Sequence, residues 1–180
     1  GAMCMQRFLA ANSELYCQKK RVVEVGSGTG YLAMSAHILG TSSCIATDCE
    51  DMIGLIARNA EQNKDLVRAQ AGSFEWVACD WYAVKKEEKL PSEIEAALKA
   101  GPLDVVIASD VLYEEVERAH ALLAVIDQLC PAGSSTTILL CQSFRAAYDV
   151  EVSFFEAAER LGFVVSLISQ DGRSPDRVAL

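Results

Sequence analysis

The feature that most constrains this chain is a short apolar run that leads into three glycines at alternate positions. Residues 21–30 read R-V-V-E-V-G-S-G-T-G and pass directly into Y-L-A-M-S-A-H-I-L. The pattern predicts a strand, a glycine loop and a helix in succession, because glycine lets the backbone turn sharply and approach a ligand closely. The free N–H groups at the helix start would face that ligand. This segment therefore predicts a site for a nucleotide-like cofactor.

The spacing of the glycines bears on which cofactor the loop binds. A dinucleotide fingerprint, G-x-G-x-x-A, can be placed on Gly28, Gly30 and Ala33, but its first glycine then lies well past Val25, where the strand should end. The register E-x-G-x-G-x-G beginning at Glu24 fits better, and it resembles the first motif of the class I, seven-β-strand S-adenosylmethionine (SAM) methyltransferases. A sulfonium cofactor has no pyrophosphate, so a carboxylate beside the loop is tolerated. The glycine run favours a methyltransferase and leaves a NAD(P)-dependent Rossmann oxidoreductase as the alternative.

Length, composition and charge limit the number of domains and the kinds of partner that the chain can have. The chain has 180 residues, of which 51% are hydrophobic, which is enough for one domain over residues 1–180 with a sizeable core. Gly1-Ala2-Met3 resembles the remnant of a cleaved tag. A net charge of −9 provides no general basic field for nucleic acid. A local basic groove would not be visible in the net charge. No apolar run approaches the roughly 20 residues that span a bilayer, so no membrane partner is expected.

The seven cysteines permit two interpretations, a metal site or reduced thiols. None forms a C-x-x-C pair, and neither His37 nor His120 stands at a ligand-like spacing from one. Most lie inside apolar strands or helices, as buried thiols do. We therefore expect no metal, and reduced thiols of an intracellular protein that is cytoplasmic, with a nuclear location left open.

Strand and helix patterns alternate along the chain without a linker or a repeat. The predicted strands are Val22 to Val25, Ser43 to Thr47, Phe74 to Cys79, Leu103 to Ala108, Thr136 to Ser143 and Phe163 to Ile168. The predicted helices are Cys4 to Cys17, Gly30 to Leu39, Glu50 to Asn63, Glu114 to Cys130 and Val150 to Leu161. Such alternation predicts right-handed crossovers and a parallel sheet with helices on both sides.

Polar and aromatic residues follow the second and third predicted strands, at the edge where a ligand of such a sheet binds. Asp48 ends the second strand, at the distance from the glycine loop where a carboxylate can bind both ribose hydroxyls. Asp80 and Trp81 end the third, and they offer an acceptor for an adenine amino group and an apolar face for its ring. Each also has a structural interpretation, Asp48 as the cap of the next helix and Trp81 as core.

A third group, Ser109, Asp110 and Tyr113, follows the fourth strand. Its position predicts a place beside the reactive end of the cofactor. Packing of Tyr113 under the next helix is the structural alternative. The common placement of all these residues at strand ends favours a site.

Several motifs together identify a narrower family that the chain resembles. Residues 104–113 read D-V-V-I-A-S-D-V-L-Y, and they accompany E-V-G-S-G-T-G, the strand end at Asp48 and the Asp80-Trp81 pair. This combination resembles the non-histone protein-lysine methyltransferases of the methyltransferase-like type, whose most discriminating element is D-x-x-Y, here residues 110–113. Amino-directed nucleic-acid methyltransferases carry N-P-P-Y or D-P-P-Y instead, and neither proline is present here.

The resemblance implies a fold, a reaction and a set of site residues. The fold is α/β, a doubly wound, mostly parallel seven-stranded, Rossmann-like sheet with a truncated last strand. The reaction moves a methyl group from SAM to a lysine side chain of a non-histone protein and leaves S-adenosylhomocysteine, with RNA and small-molecule acceptors left open. Asp110 and Tyr113 would be catalytic. The cofactor would be bound by Glu24, Gly26, Ser27, Gly28, Thr29, Gly30, Asp48, Asp80, Trp81 and Ser109.

Two departures from the family pattern concern the ends of the chain. No tryptophan precedes Glu24, whereas family members usually carry one that lies over the cofactor, and the chain stops at Leu180, inside the expected final antiparallel strand. Either terminal segments needed for full activity are missing from this chain, or the protein diverges from the family. The expected partner is a lysine-bearing protein, and the chain is expected to be a monomer. A cofactor-binding relic that serves as an interaction module is the non-enzymatic alternative.

Overall fold

The computed structural model describes residues 1–130, 133–143, 148–168 and 177–179, which form one sheet with helices on both faces. The strands are β1 (Arg21–Val25), β2 (Ser43–Asp48), β3 (Ser73–Ala78), β4 (Val105–Ser109), β5 (Thr137–Gln142), β6 (Leu167–Ile168) and β7 (Arg177–Ala179). Their order across the seven-stranded sheet is β3-β2-β1-β4-β5-β7-β6. β7 runs antiparallel to both of its neighbours, and the other neighbouring pairs are parallel. The predicted doubly wound, mostly parallel fold is confirmed.

Helices connect the strands and cover the sheet. They are α1 (Ala2–Ala11), α2 (Ser13–Tyr16), α3 (Tyr31–Ile38), α4 (Glu50–Gln62), α5 (Lys64–Arg68), α6 (Trp81–Glu87), α7 (Ser92–Lys99), α8 (Val116–Leu129) and α9 (Tyr148–Arg160). Among these described helices, none is long and apolar enough to cross a membrane.

Three parts of the chain differ from the prediction. The single helix expected from Cys4 to Cys17 is two helices separated at Asn12. The connection between β3 and β4 contains α6 and α7, which were not among the predicted helices. Only the last two residues of the strand expected from Phe163 to Ile168 pair with a neighbour, and that neighbour is the short strand β7.

The central strands are buried because both of their faces pack against helices. Alternate side chains of β1 and β4 point to opposite sides, as the two-residue period of a strand requires. Val23 and Val106 belong to the apolar cluster that includes residues of α6, α7, α8 and α9. Val22 and Ile107 belong to a second cluster, which includes residues of α1, α3 and α4. Glu24 falls in the same alternation as Val22 and faces the second side.

Three glycines after β1 adopt the left-handed conformation that other residues disfavour. Gly26, Gly28 and Gly30 have φ values of 74°, 55° and 76°. Gly30 is the N-cap of α3. The sequence therefore places glycine at every position of this turn where the backbone requires it.

Alanine substitutions should distinguish two of these glycines. A Cβ at Gly26 would lie 2.7 Å from Val111 Cγ1 and 3.1 Å from Trp81 Cζ2, whereas a Cβ at Gly28 would meet nothing within 4 Å. Gly28→Ala should therefore cost about 1–2 kcal/mol of unfolding free energy from backbone strain alone. Gly26→Ala should cost distinctly more because it adds a steric clash. Urea denaturation of both variants measures the difference, and equal losses would contradict this account.

Candidate active site

Glu24 faces α3, and its carboxylate is buried. The residue is 2% exposed, and Oε2 accepts a hydrogen bond from the Ala33 backbone N–H at 2.8 Å. Ala33 lies in the first turn of α3, where backbone N–H groups have no partner inside the helix. Burial raises the pKa of the Glu24 carboxyl to about 8, although hydrogen bonds from Ala33 and Ser27 oppose the rise. Glu24 thus supports the glycine loop from inside the fold, and its contact with a cofactor stays a prediction.

Two buried hydroxyl groups join the glycine loop to β2. Thr47 Oγ1 donates to the Glu24 carbonyl at 2.8 Å, and Ser27 Oγ accepts from the Thr47 backbone N–H at 3.0 Å. The Gly26 and Ser27 backbone N–H groups donate to the Thr47 carbonyl, each at 2.9 Å. Ser27, which the sequence predicts at the cofactor site, therefore uses its hydroxyl to hold the loop.

Two side chains from β2 and α4 hold the tip of the loop. Asp48 Oδ2 accepts from the Gly28 N–H at 2.7 Å, and Oδ1 accepts from the Cys49 N–H at 2.8 Å. Asn59 Nδ2 donates to the carbonyl of Thr29, another predicted site residue, at 2.8 Å. The N-cap of α4 is Cys49, so Asp48 is not the helix cap that the sequence left as an alternative. The structure brings Asp48 to the glycine loop, as predicted.

Asp80 and Trp81, the two site residues predicted after β3, also make contacts that support the fold. Asp80 is the N-cap of α6, and its Oδ1 accepts from the Tyr82 and Ala83 N–H groups at 2.8 and 3.2 Å. Trp81 is partly buried, packs against the core and lies against Gly26. Trp81 lies beside the glycine loop, and Asp80 lies just past the end of β3. The contacts of both residues with adenine stay predictions.

Asp110 follows β4 in a left-handed conformation with a φ of 56°, which is uncommon outside glycine. Its Oδ1 accepts from the Ser143 N–H at 2.7 Å. Its Oδ2 lies 2.8 Å from the α-ammonium of Gly1, which also donates to Ser143 Oγ at 2.7 Å. Burial raises the pKa of the Asp110 carboxyl, but the bonds from the ammonium and Ser143 more than offset this and leave the pKa below its ordinary value. The carboxylate therefore stays ionised at neutral pH.

Ser109, the residue before Asp110, presents a hydroxyl to the same place. Its Oγ is buried and has no hydrogen-bond partner among the described residues. A Cβ built on Gly1 would collide with this oxygen and with Asp110 Oδ2. The Ser109 hydroxyl therefore lies close to the Cα of Gly1.

The Asp110–Tyr113 turn is fixed by a residue that the sequence patterns did not predict. Gln142, at the end of β5, is 8% exposed. Its Oε1 accepts from the Leu112 N–H at 3.2 Å, and its Nε2 donates to the Leu112 carbonyl at 2.9 Å. Both backbone groups in the middle of the turn are satisfied by one side chain. Nothing in a one-dimensional pattern indicates this pairing, because the partners are 30 residues apart.

Tyr113 is the last residue of this turn and is 38% exposed. The guanidinium of Arg118 lies 5.0 Å from the centre of its ring, and Arg118 Nη1 donates to the Tyr113 hydroxyl at 3.2 Å. Arg118 Nη2 pairs with Glu114 Oε2 at 2.8 Å. Cation–π contact and the hydrogen bond hold the tyrosine at the surface. The alternative that Tyr113 packs under the next helix is therefore wrong.

The sheet order, its one antiparallel strand and the glycine loop after β1 define a Rossmann-like α/β fold. A family profile described as "Lysine methyltransferase" matches residues 2–161, and the chain belongs to this family.

Relatives with curated names agree with the family. The protein-lysine N-methyltransferase EFM3 of Chaetomium thermophilum is 31% identical over 169 residues, which is 92% of this chain and 47% of that protein. The protein-lysine methyltransferase METTL21E of Bos taurus is 28% identical and matches 89% of this chain and 50% of its own length. The chain thus spans about half the length of these relatives.

Solved structures share the fold. The magnesium protoporphyrin IX methyltransferase (ChlM) of Synechocystis PCC 6803 with bound SAM has a TM-score of 0.63 and 20% identity, over 99% of this chain and 76% of that one. The same enzyme with bound S-adenosylhomocysteine (SAH) has a TM-score of 0.61 and 16% identity, over 99% of this chain and 80% of that one. At these identities the likeness establishes the fold alone.

Replacement of Glu24 by Gln should remove a pH dependence of stability. The folded-state pKa of about 8 lies above the ordinary 4.5, so the folded protein binds this proton more tightly than the unfolded chain. The resulting stability is complete below the ordinary pKa and is lost as pH rises through the folded-state value, by up to about 1.4 kcal/mol per pH unit. Glutamine keeps an acceptor for the Ala33 N–H and has no proton to lose.

The measurement is the free energy of unfolding in urea between about pH 5 and about pH 9 for both proteins. We expect the wild type to lose stability relative to Glu24→Gln as pH rises. Glu75→Gln, at an exposed position of β3, is the control and should follow the wild type. Parallel curves for wild type and Glu24→Gln would show that the buried carboxyl does not titrate in this range.

Proposed function

We propose that this protein is a SAM-dependent methyltransferase that transfers a methyl group to a lysine side chain of a non-histone protein. The observation that carries the proposal is the Asp110 carboxylate, which the Ser143 N–H holds at 2.7 Å at the end of the strand next to β1, where an amine would find a charged acceptor. Membership of the lysine methyltransferase family and the names of the relatives support the same reaction.

The glycine loop fits SAM better than a dinucleotide. Four of its N–H groups already bond within the protein, those of Gly26 and Ser27 to Thr47, that of Gly28 to Asp48, and that of Gly30 to Ser27. A pyrophosphate needs such N–H groups unpaired. A ligand without phosphate needs only the close approach that Gly28 allows, since no other atom lies within 4 Å of the position of its missing Cβ. The family match likewise does not favour the oxidoreductase, RNA or small-molecule alternatives.

SAM, when bound, would supply an electrophilic methyl group on a sulfonium. The residues that would hold it are the loop glycines, Asp48 at the end of β2 and Trp81 beside Gly26. The Asp48 carboxylate lies next to the loop, where hydroxyl groups of a ribose would find two acceptor oxygens.

The chain's own residues would prepare the acceptor amine. A lysine has an ordinary pKa of about 10.4 and must lose a proton to free its lone pair. Asp110 has a lowered pKa and is a poor base, so the proton leaves to bulk water. Asp110 would then orient the neutral amine and stabilise the positive charge that returns to nitrogen as the new N–C bond forms. Tyr113, fixed by Arg118, would border the entrance for the lysine side chain.

Cofactor binding should depend on the charge of Asp48. Asp48→Ala is expected to weaken SAM and SAH binding by about 1.5–3 kcal/mol, the range for hydrogen bonds to a charged group. Asp48→Asn keeps one oxygen for the Gly28 N–H, and therefore tests the charge apart from the loop geometry. Isothermal titration calorimetry with SAM, SAH and NAD measures the effect. Binding of NAD without SAM, or unchanged SAM affinity in both variants, would contradict the assignment.

Methyl transfer should depend on Asp110 and Tyr113, and SAM binding should not. The assay combines labelled SAM, a cell extract and mass spectrometry of the labelled protein. Asp110→Asn should slow transfer about 10–100-fold with SAM affinity nearly unchanged, because the lost interaction is made to the acceptor. Tyr113→Phe should have a smaller effect of the same kind. Tyr82→Phe, a nearby exposed tyrosine whose hydroxyl donates to Glu115, is the matched control. Label in RNA rather than protein would refute the proposed substrate class.

A further inference from the structure

The tip of the glycine loop is a four-residue turn. The Gly30 N–H donates to the Ser27 carbonyl at 2.8 Å, which closes a turn over residues 27–30. Of its two central residues, Gly28 has a positive φ of 55° and Thr29 does not. A positive φ at the first central position alone is typical of a type II′ turn, which takes glycine there. The branched side chain of Thr29 disfavours the alternative turn, which needs a positive φ at both positions.

One peptide group of this turn is left for a ligand. It joins Gly28 to Thr29, and neither the Gly28 carbonyl nor the Thr29 N–H has a hydrogen-bond partner among the residues that the structure describes. The groups on either side are paired, because Asp48 accepts from the Gly28 N–H at 2.7 Å and Asn59 donates to the Thr29 carbonyl at 2.8 Å. The C=O and N–H of a trans peptide point in opposite directions. The orientation of this peptide therefore decides whether the loop presents a donor or an acceptor to the cofactor.

Helix α4 carries Asn59 to the loop. Ile56 is fully buried, and a Cβ built on Gly30 would lie 3.0 Å from Ile56 Cγ2. Asn59 comes three residues later and so lies on the same face of the helix. The apolar contact fixes the distance between helix and loop, and the polar contact fixes the direction of the Thr29 carbonyl. Asn63 uses its side chain differently, since its Nδ2 donates to the Asn59 carbonyl at 2.8 Å at the end of the helix.

We propose that Asn59 is a positioning residue for the cofactor. By holding the Thr29 carbonyl, it keeps the Gly28–Thr29 peptide in the orientation that SAM and SAH bind. Asp48 fixes the loop before this peptide and Asn59 fixes it after, so that side chains hold both sides. Asn59 acts through the loop and not by contact with the cofactor. The proposal rests on the proposed function, since it takes SAM as the cofactor.

Loss of this hydrogen bond should affect affinity more than stability. Alanine has a higher helix propensity than asparagine, so in Asn59→Ala the gain in α4 partly offsets the lost bond. Thr29 is exposed, and its carbonyl can bond to water in the free protein. On binding, however, the loop must return to one orientation, and this ordering lowers the affinity.

The test measures two quantities for wild type, Asn59→Ala and Asn59→Asp. They are the affinity for SAM and SAH by isothermal titration calorimetry, and the stability in urea without cofactor. Asn59→Ala should weaken the binding of both ligands about three- to tenfold, the equivalent of one neutral hydrogen bond. Asn59→Asp has the same shape but turns a carboxylate oxygen towards the Thr29 carbonyl, and should weaken SAH binding at least as much. SAH has no sulfonium charge, so it reports the loop geometry without attraction to the added carboxylate.

Asn63→Ala is the matched control, because it removes the same kind of side chain from the same helix and leaves the contact with the loop in place. It should lower stability slightly and leave both affinities unchanged. An affinity loss in Asn63→Ala equal to that in Asn59→Ala would show that the stability of α4 controls binding, and would overturn the proposal. Wild-type affinity for SAM and SAH in both Asn59 variants would overturn it as well and leave the proposed function intact.

A second measurement needs no cofactor. Hydrogen exchange of the Gly30 amide, followed by nuclear magnetic resonance, reports how often the turn over residues 27–30 opens. We expect this amide to exchange several-fold faster in Asn59→Ala than in wild type or Asn63→Ala. Equal rates in all three proteins would show that Asn59 does not hold the turn, and would overturn the proposal. A wild-type protein that binds neither SAM nor SAH would instead overturn the proposed function.

Discussion

The hydrogen bond between the buried Glu24 carboxyl group and the Ala33 N–H is the interaction on which the site depends. It joins β1 to the first turn of α3, and so fixes both ends of the glycine loop between them. Its position in the fold is costly, because an ionised carboxylate is poorly tolerated away from water. The raised pKa of Glu24 is the direct expression of that cost. A neutral acid in this place keeps the helix start satisfied without placing a full charge in the core.

The parallel sheet brings the other site residues together. Asp48, Asp110 and Ser143 are far apart in the chain, yet each ends or follows a strand of the same sheet and lies at the same edge. Parallel neighbours with right-handed crossovers make this convergence unavoidable. The fold thus positions side chains by where strands end, and the loops contribute only a few residues of adjustment, such as the left-handed conformation of Asp110.

Local patterns predicted the framework well. The glycine run, the apolar strands and the strand-end position of Asp48 each follow from residue type and spacing, and the structure shows them within a few residues. The side-chain pairings of the site were not predictable in the same way. Asp80 carries no sequence mark that separates a helix cap from a ligand contact, because α6 has too short and mixed an apolar pattern to be recognised. Gln142 and Ser143 act through partners about 30 residues away, and only the register of β4 with β5 brings them there.

One close contact joins the two halves of the site. Val111, in the turn after β4, lies so near the backbone of Gly26 that no side chain fits between them. A larger residue at position 26 would have to displace the turn that carries Asp110. Glycine at this position is therefore required twice, once by its own backbone conformation and once by the turn after the neighbouring strand.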